Sequence, residues 1–132
     1  MGALMRLLLD TCVFVWLAGE PRRISQRAAS ALDDPANELF LSHASVWELY
    51  LKCQAGKLKL PHSPRRWLTA QLAARGVSEW AMDLESLHAV LDLPKHHRDP
   101  FDRMLVAQSK VHSLTLVSPD SCIKAYRPAL IW

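Results

Sequence analysis

The stretch MRLLLDTCVFVWLA, residues 5–18, is apolar almost throughout and carries one acid, Asp10, near its middle. The short apolar run before Asp10 is typical of a buried β-strand, and the residues after it predict a short helix. An unpaired carboxylate buried in such a core costs several kcal/mol. We therefore expect Asp10 to have a compensating partner elsewhere in the chain.

The apolar N-terminus, followed by the small residues Ala18 and Gly19, also has features of a secretory signal or a membrane anchor. Asp10 opposes that interpretation, because an acid at the centre of an apolar segment disfavours insertion into a bilayer. The apolar segment after Asp10 is also much shorter than the ~20 residues that a spanning helix needs. We expect a cytoplasmic protein, in which Met5 is an alternative start and residues 1–4 are a non-essential extension.

Length and composition favour a single domain over residues 1–132. Half of the 132 residues are hydrophobic, 22% are charged and the net charge is +3, and a chain of this size can bury a sizeable core. The three cysteines, Cys12, Cys53 and Cys122, form no C-x-x-C pair, which argues against a zinc site or a disulfide framework. A mildly basic balance permits nucleic-acid binding but does not establish it.

Strand and helix patterns alternate along the chain, which predicts an α/β fold with a central parallel β-sheet flanked by helices. Strands are predicted at residues 4–9, 38–42, 77–83, 114–118 and 129–132. Helices are predicted at residues 12–17, 25–32, 42–57, 64–76, 84–94, 99–113 and 121–126. Ser25 and Asp99 are the expected N-caps of two helices, and Gly56 and Gly76 are expected stops.

Acidic residues fall near the carboxyl ends of the predicted strands, where parallel sheets bind ligands. Asp10 ends the first strand, and Asp120 follows a later strand by two residues. Glu48 lies early in the helix after the second strand, while Asp99 and Asp102 share one helix face. Carboxylates this close raise one another's pKa and destabilise the fold. A hard divalent cation, Mg²⁺ or Mn²⁺, usually compensates them, so Asp10 is predicted to be a metal ligand.

Each acid also has an interpretation that needs no site. Asp10 is placed to cap the following helix, and Glu48 alone would suit a solvated helix surface. Asp99 fits an N-cap as well as it fits a supporting role. Asp102 has neighbouring arginines for an exposed pair worth ~0–1 kcal/mol, and Asp120 suits a turn after a proline. The positions of the acids along the strands and helices are more informative than any one acid.

The histidines and basic residues are weaker indications. His96 and His97 lie beside Asp99, but adjacent side chains in a loop rarely converge on one ion, so we expect them to contact solvent or phosphate. The chain has no Gly-rich phosphate loop and no nucleophile elbow. Its scattered basic residues suit either a solvated surface or a phosphate-binding rim around the acids. These residues are Arg22, Arg23, Lys52, Lys57, Lys59, Arg65, Arg66, Arg98, Arg103 and Lys110.

Four motifs together resemble one known family. They are LLLDTCVFVWL, LSHASVWELYLKCQAGKLKLP, HRDPFDRMLVAQS and LTLVSPD. In this order they resemble PIN-domain toxins of the VapC type, and most of all the subgroup with an H-R-D-P-F-D-R motif. The similarity extends from Met5 to Trp132, and the combination is specific where any one motif is not. The resemblance implies a single PIN-like α/β domain.

The resemblance also implies a Mg²⁺-dependent ribonuclease, with Mn²⁺ as the alternative ion, that acts as the toxin of a toxin–antitoxin pair. The family's acidic positions match Asp10, Glu48, Asp102 and Asp120. Asp10 and Asp102 would be the principal metal ligands, while Glu48 and Asp120 would complete the pocket through water or a second ion. A metal-activated water would hydrolyse RNA phosphodiesters, which leaves a 5′-phosphate and a 3′-hydroxyl.

Other positions match the family less directly. Thr11 and Ser118 match small hydroxyl residues that commonly support the metal site. Asp99 matches the subgroup motif, but its place among the ligands is open. Cys12 departs from the pattern, since His or Asn is expected there. This departure puts a polar role at position 12 in doubt and leaves the acids complete.

The resemblance implies three partners: an RNA substrate, a cognate antitoxin and a second copy of the chain. Single-stranded loops are the expected RNA target, because their backbone is accessible. The hypothesis from another class is a catalytically silent PIN-fold module that binds RNA or a protein, which would be expected to have lost one or more acids. A receiver-type phosphotransfer domain is a further alternative, but it needs an acidic pair near the first strand, and LLLDT supplies one acid.

Overall fold

A central β-sheet of five parallel strands organises the computed structural model, which describes residues 4–132. The strands in this part of the chain are β1 (Arg6–Leu9), β2 (Glu38–Ser42), β3 (Val77–Trp80), β4 (Thr115–Val117) and β5 (Leu130–Ile131). They lie in the order β3-β2-β1-β4-β5, so β1 occupies the centre. Every pairing is parallel, which confirms the predicted α/β fold.

Seven α-helices within residues 4–132 flank the sheet, and short-range signals explain several of their ends. They are α1 (Thr11–Gly19), α2 (Gln26–Asp33), α3 (His43–Gln54), α4 (Pro64–Arg75), α5 (Leu84–Asp92), α6 (Pro100–His112) and α7 (Ser121–Lys124). Ser25 caps α2 as predicted, by accepting a hydrogen bond from the Ala28 amide. Gly76 ends α4 with a φ of 62°, a left-handed conformation that glycine adopts without steric cost.

The structure differs from the sequence prediction mainly at the ends of elements. β1 begins at Arg6 rather than at residue 4. The segment GEPRR, residues 19–23, which lies between the first two predicted helices, contains a 3₁₀ turn at Pro21–Arg23, which proline favours by fixing φ. The suggested extension at residues 1–4 lies outside the described residues except for Leu4, whose side chain is exposed. No helix within residues 4–132 has both the length and the apolarity to cross a membrane.

β1 is buried on both faces because helices cover both sides of the sheet. Leu7, Leu8 and Leu9 have no exposed surface. Leu7 and Leu9 pack in one core cluster with Phe14, and Leu8 packs in the second cluster with Leu105. Burying a leucine completely contributes about 1.5–3 kcal/mol. The strand therefore gives the residue that follows it, Asp10, a firmly anchored backbone.

The sheet reverses its strand order at β1. β2 and β3 extend it on one side of β1, while β4 and β5 extend it on the other. Such a reversal opens a crevice beyond the carboxyl ends of the two central strands, where open α/β sheets bind ligands. Asp10 directly follows β1 and Ser118 directly follows β4, so both residues lie at this crevice.

Candidate active site

Asp10 points into the protein at the carboxyl end of β1. The residue is 6% exposed, and Oδ2 accepts a 2.6 Å hydrogen bond from Ser118 Oγ. Asp10 occupies the N-cap position of α1, but its side chain makes no capping hydrogen bond, so the helix-cap interpretation is wrong. Burial raises the pKa of Asp10 despite the bond from Ser118, and the charges of Glu48 and Asp120 add to the rise.

Glu48 lies inside the same crevice rather than in solvent. Thr11 Oγ1 donates a 2.6 Å hydrogen bond to Oε1 of Glu48, and Lys52 Nζ lies 2.9 Å from Oε2. The i,i+4 spacing on α3 brings Lys52 next to Glu48. Burial lowers the pKa of Lys52, but the hydrogen bond and charge of Glu48 outweigh this effect and the pKa is raised. Thr11, predicted to support the site, therefore contacts one of its acids.

Asp102 lies in the first turn of α6 and is 8% exposed. Its Oδ2 is 2.9 Å from Nε2 of His97. Burial and the charges of neighbouring acids, that of Asp10 first, raise the pKa of Asp102 to about 8. Arg103 does not form the exposed pair considered from the sequence, because its guanidinium donates to carbonyl oxygens of α5 and of the loop after it.

Asp99 is the N-cap of α6, as the sequence predicted. Its Oδ1 accepts hydrogen bonds from the amides of Phe101, at 2.8 Å, and Asp102, at 3.2 Å. These bonds satisfy amides that have no partner within the helix. They also fix the first helical turn, and with it the backbone of Asp102. The described contacts of Asp99 are therefore those of a cap beside the acidic cluster.

Asp120 is connected to the other acids through two shared neighbours. Its Oδ1 accepts a 2.8 Å hydrogen bond from the Cys122 amide, and its Oδ2 lies 3.0 Å from His97 Nε2. Its amide donates at 3.1 Å to Ser118 Oγ, the hydroxyl that donates to Asp10. Burial raises the pKa of Asp120, but the bonds from His97 and Cys122 outweigh it and hold the pKa below its ordinary value.

His97 is a site residue that the sequence analysis missed. We expected it to contact solvent or phosphate, whereas its side chain, 17% exposed, bridges Asp102 and Asp120. Nδ1 accepts a hydrogen bond from the Asp99 amide at 3.2 Å, so the ring proton is on Nε2. This N–H donates to Asp120 Oδ2 at 3.0 Å, and Asp102 Oδ2 lies beside it at 2.9 Å. The sequence signal that could have identified His97 is its position five residues before Asp102. Its neighbour His96 is exposed, and two adjacent histidines in a loop were therefore interpreted as surface residues.

The crevice thus brings together Asp10, Glu48, Asp102 and Asp120, with little positive charge to compensate them. Lys52 contacts Glu48 alone, and the other donors are hydroxyl, amide and imidazole groups. The raised pKa of both Asp10 and Asp102 is the expected property of buried carboxylates that lack a counter-charge. Carboxylate oxygens are the ligands that Mg²⁺ and Mn²⁺ prefer, so this donor set fits a hard divalent cation.

The cysteines contribute little to this chemistry. Burial, followed by the charges of Asp10 and Asp102, raises the pKa of Cys12 to about 12, so its thiol is a poor nucleophile and a poor ligand. Cys122 is exposed, and its sulfur lies within 4.8 Å of ligand atoms of His97 and Asp120. The Nε2 proton of His97 points to carboxylates there, an arrangement suited to hydrogen bonding rather than to metal ligation.

Two clefts with basic linings flank the acids. The first, of about 590 Å³, extends from Ser118 and Asp120 toward the C-terminus. The second, of about 320 Å³, begins at Thr11. Their basic linings are Arg27, Lys124 and Arg127 in the first cleft and Arg23, Lys52 and Lys57 in the second. The second set was among the candidates for a phosphate-binding rim, whereas the first set was not considered.

Comparison with known proteins agrees with the architecture. The sequence profile of the PIN domain matches residues 7–127. One relative, Ribonuclease VapC22 of Mycobacterium tuberculosis, is 28% identical over 130 residues, which cover 96% of this chain and 98% of the relative.

Two solved structures are similar to the chain over almost its whole length. The first is VapBC2 from Rickettsia felis bound to a promoter DNA fragment, with a TM-score of 0.68 at 14% identity, covering 96% of this chain and 97% of that one. The second is VapBC-5 of Mycobacterium tuberculosis, with a TM-score of 0.58 at 17% identity, covering 95% and 94%. At these identities the likeness establishes the fold.

Proposed function

Because the chain belongs to the PIN domain family, we propose that it is a divalent-metal-dependent endoribonuclease and the toxin of a toxin–antitoxin pair of the VapC type. Residues 97–103, HRDPFDR, support the further proposal that it belongs to the subgroup that carries this motif. The observation that carries the proposal is the set of four acids, Asp10, Glu48, Asp102 and Asp120, gathered at the crevice of the sheet. The ribonuclease name of the relative supports the reaction.

The arrangement of donors suggests how the acids share the work. Asp10 and Asp102, whose pKa values are raised, would hold the cation, and Glu48 and Asp120 would complete the pocket through water or a second ion. A bound Mg²⁺ or Mn²⁺ supplies Lewis acidity toward a phosphodiester and lowers the pKa of water. Attack by water on phosphorus with cleavage of the P–O3′ bond, the 3′ oxygen leaving and taking up a proton, leaves a 5′-phosphate and a 3′-hydroxyl.

The hydroxyls and the basic side chain around the acids hold them in place. Ser118 donates to Asp10, while Thr11 and Lys52 hold the two oxygens of Glu48. Side chains fixed by such bonds need little reorganisation when charge develops on the phosphate. Thr11 and Ser118 are therefore proposed as supporting residues.

The two basic clefts support RNA as the substrate. Basic side chains neutralise the backbone phosphates of a nucleic acid, and each of the two clefts is lined by three of them beside a residue of the site. We therefore propose single-stranded RNA, whose phosphates are accessible on an unpaired strand.

The partners follow from the relatives. The similar structures are VapBC toxin–antitoxin assemblies, and we propose that an antitoxin covers the acidic crevice of this chain as well. A homodimer in the cytoplasm is proposed from the family resemblance of the sequence alone. The catalytically silent module is the weaker alternative, because all four acids are present and converge. The receiver-type alternative lacks the second acid beside Asp10.

Cleavage of a structured RNA with unpaired loops tests the proposal. The purified chain should cut it with Mn²⁺ and stop in EDTA. The Asp10→Asn variant should lose more activity than the ~10–100-fold that the loss of a supporting contact causes. Asp92→Asn, an exposed acid at the end of α5, is the matched control and should cut normally. Equal cleavage by the wild type and Asp10→Asn would contradict the assignment.

A further inference from the structure

The loop between α5 and α6, residues 93–99, carries His97 and is held from behind by Tyr126. The phenolic oxygen of Tyr126 accepts hydrogen bonds from two consecutive amides of the loop, that of His96 at 3.1 Å and that of His97 at 3.0 Å. Tyr126 is 3% exposed and packs in the second core cluster. The backbone of His97 is therefore fixed to the protein core rather than left to the loop itself.

Arg103 completes this attachment. Its Nη1 donates to the Tyr126 oxygen at 2.9 Å and to the carbonyl of Pro94 at 2.9 Å. Its Nη2 donates to the carbonyl of Val90 at 3.1 Å, near the end of α5. The planar guanidinium thus joins carbonyls at the end of α5 and in the loop after it to the phenol. Both ends of the loop are held through one residue.

The two residues that hold the loop lie on the same segments as the two acids that His97 contacts. Arg103 directly follows Asp102 in α6, and Tyr126 comes six residues after Asp120. The His97 ring reaches back over both acids, at 2.9 Å from Asp102 Oδ2 and 3.0 Å from Asp120 Oδ2. The contacts form a closed arrangement, in which a shift of the loop changes both His97–carboxylate distances.

We propose that Tyr126 and Arg103 are positioning residues, which hold His97 so that its ring keeps Asp102 and Asp120 in place for the divalent cation. This inference rests on the proposed function and adds two residues that act through His97. An imidazole that donates to Asp120 and packs 2.9 Å from Asp102 keeps the two carboxylates at a set spacing against their mutual repulsion. Outer partners of ligating carboxylates typically change metal affinity 10–100-fold when they are removed.

The Tyr126→Phe variant tests the proposal, because it keeps the ring in the core and removes the oxygen that holds the loop. Titration calorimetry with Mn²⁺ should show about tenfold weaker binding than in the wild type. Nitrogen NMR of the imidazole in metal-free protein should show a shifted Nε2 resonance of His97, because the ring moves relative to Asp120. The matched control is Tyr50→Phe, the same change at a residue of α3 in the other core cluster, and it should alter neither readout.

A double-mutant cycle decides whether the effect passes through His97. In a His97→Ala background, Tyr126→Phe should weaken Mn²⁺ binding no further. An equal additional loss would overturn the proposal, as would unchanged Mn²⁺ affinity and an unchanged imidazole signal in the single variant. If Tyr126→Phe fails to fold, Arg103→Lys, which keeps the charge and loses the planar fork, takes its place with the same expectations.

The experiment distinguishes a failure of the proposed function from a failure of this inference. If the wild type binds no Mn²⁺, both the metal dependence and the metal-related part of this inference are overturned. Binding by the wild type that is unchanged in Tyr126→Phe overturns the inference alone. RNA cleavage is needed for neither decision.

Discussion

Ser118 Oγ donates a 2.6 Å hydrogen bond to Asp10 Oδ2, although 108 positions separate the two residues in the chain. The bond forms because β1 and β4 pair in parallel, with Leu9 opposite Val117, so the residues after them meet at one edge. The same hydroxyl accepts the amide of Asp120. One small side chain therefore connects the first and the last acid of the candidate site.

Ser118→Ala should weaken Mn²⁺ binding and RNA cleavage about tenfold, because Asp10 loses its buried donor and is free to turn. The loss of a hydrogen bond to a carboxylate should also cost about 1.5–3 kcal/mol of unfolding free energy. Cleavage rates beside denaturant melts measure both effects. Ser30→Ala, at an exposed position of α2 outside both clefts, is the control. Normal cleavage by a folded Ser118→Ala protein would show that Asp10 does not depend on this bond.

Asp99 and Asp102 should separate into a structural and a functional residue. Asp99→Ala removes the acceptor for two amides of α6 and should cost about 0.5–2 kcal/mol of stability, with most of the activity retained. Asp102→Ala should abolish cleavage, and without metal it should leave stability unchanged or higher because repulsion falls. Thermal melts and cleavage rates on the same preparations are compared. An Asp99 variant of normal stability and no activity would place Asp99 among the ligands.

The stability of the metal-free protein should fall as pH rises through the neutral range. The pKa of Asp102 is about 8 in the folded protein and near its ordinary 3.8 in the unfolded chain. Folding therefore takes up a proton at any pH between these two pKa values. The stability that this carboxyl contributes is complete below pH 3.8 and falls until the pH reaches about 8.

Melting temperatures in EDTA from pH 5 to 8.5 measure this effect. Asp102→Asn should melt increasingly above the wild type as pH rises, and added Mn²⁺ should remove the difference by stabilising the wild type. Asp83, whose pKa of about 2 reflects bonds from His112 and Ser86 that outweigh its burial, loses its contribution only as pH falls below about 4. Asp83 therefore does not affect the change in stability between pH 5 and 8.5. Parallel curves for the two proteins would contradict the prediction.

Charge reversal in the first basic cleft should weaken RNA binding without removing catalysis. The double variant Arg27→Glu, Lys124→Glu should raise KM more than it lowers kcat, since both side chains line the cleft beside Asp120. The slope of log affinity against log salt concentration should become less steep by about 1.4, because each lost contact between a cation and a phosphate of a single strand removes ~0.7. Lys59→Glu, an exposed cation outside both clefts, is the control. An unchanged slope would remove this cleft from the RNA path.

Expression of the chain in a bacterial host should arrest growth, and the Asp10→Asn form should not. Co-expression with a small protein encoded by the neighbouring gene should restore growth and give a stable complex. An antitoxin arginine at the acids would compete with Mn²⁺, so the metal should weaken the complex in a pull-down assay. Harmless expression at a high, soluble level, with no partner bound, would instead favour the catalytically silent module.

Local patterns in the sequence were enough to predict the elements and most of the acids. The apolar run before Asp10 forms a strand, and a helix follows this acid. Ser25 and Asp99 cap α2 and α6, and Gly76 ends α4. Each of these features depends on residues within a few positions of one another, because caps and turns are short-range hydrogen bonds. Parallel strands then place Asp10 and Asp120 at one edge by a general rule of topology.

Only the tertiary structure decided what surrounds those acids. His97 was expected to contact solvent or phosphate, yet its ring lies against two carboxylates, and its amide donates to Tyr126, 29 positions further on. Arg27, on α2, lines one cleft with Asp120, which follows β4 near the other end of the chain. The hydrogen bond that Glu48 accepts from Thr11, 37 positions earlier in the chain, excludes the alternative of a solvated Glu48. Such contacts join groups that are distant in the chain, and the packing of the whole core, rather than any local preference, determines which groups meet.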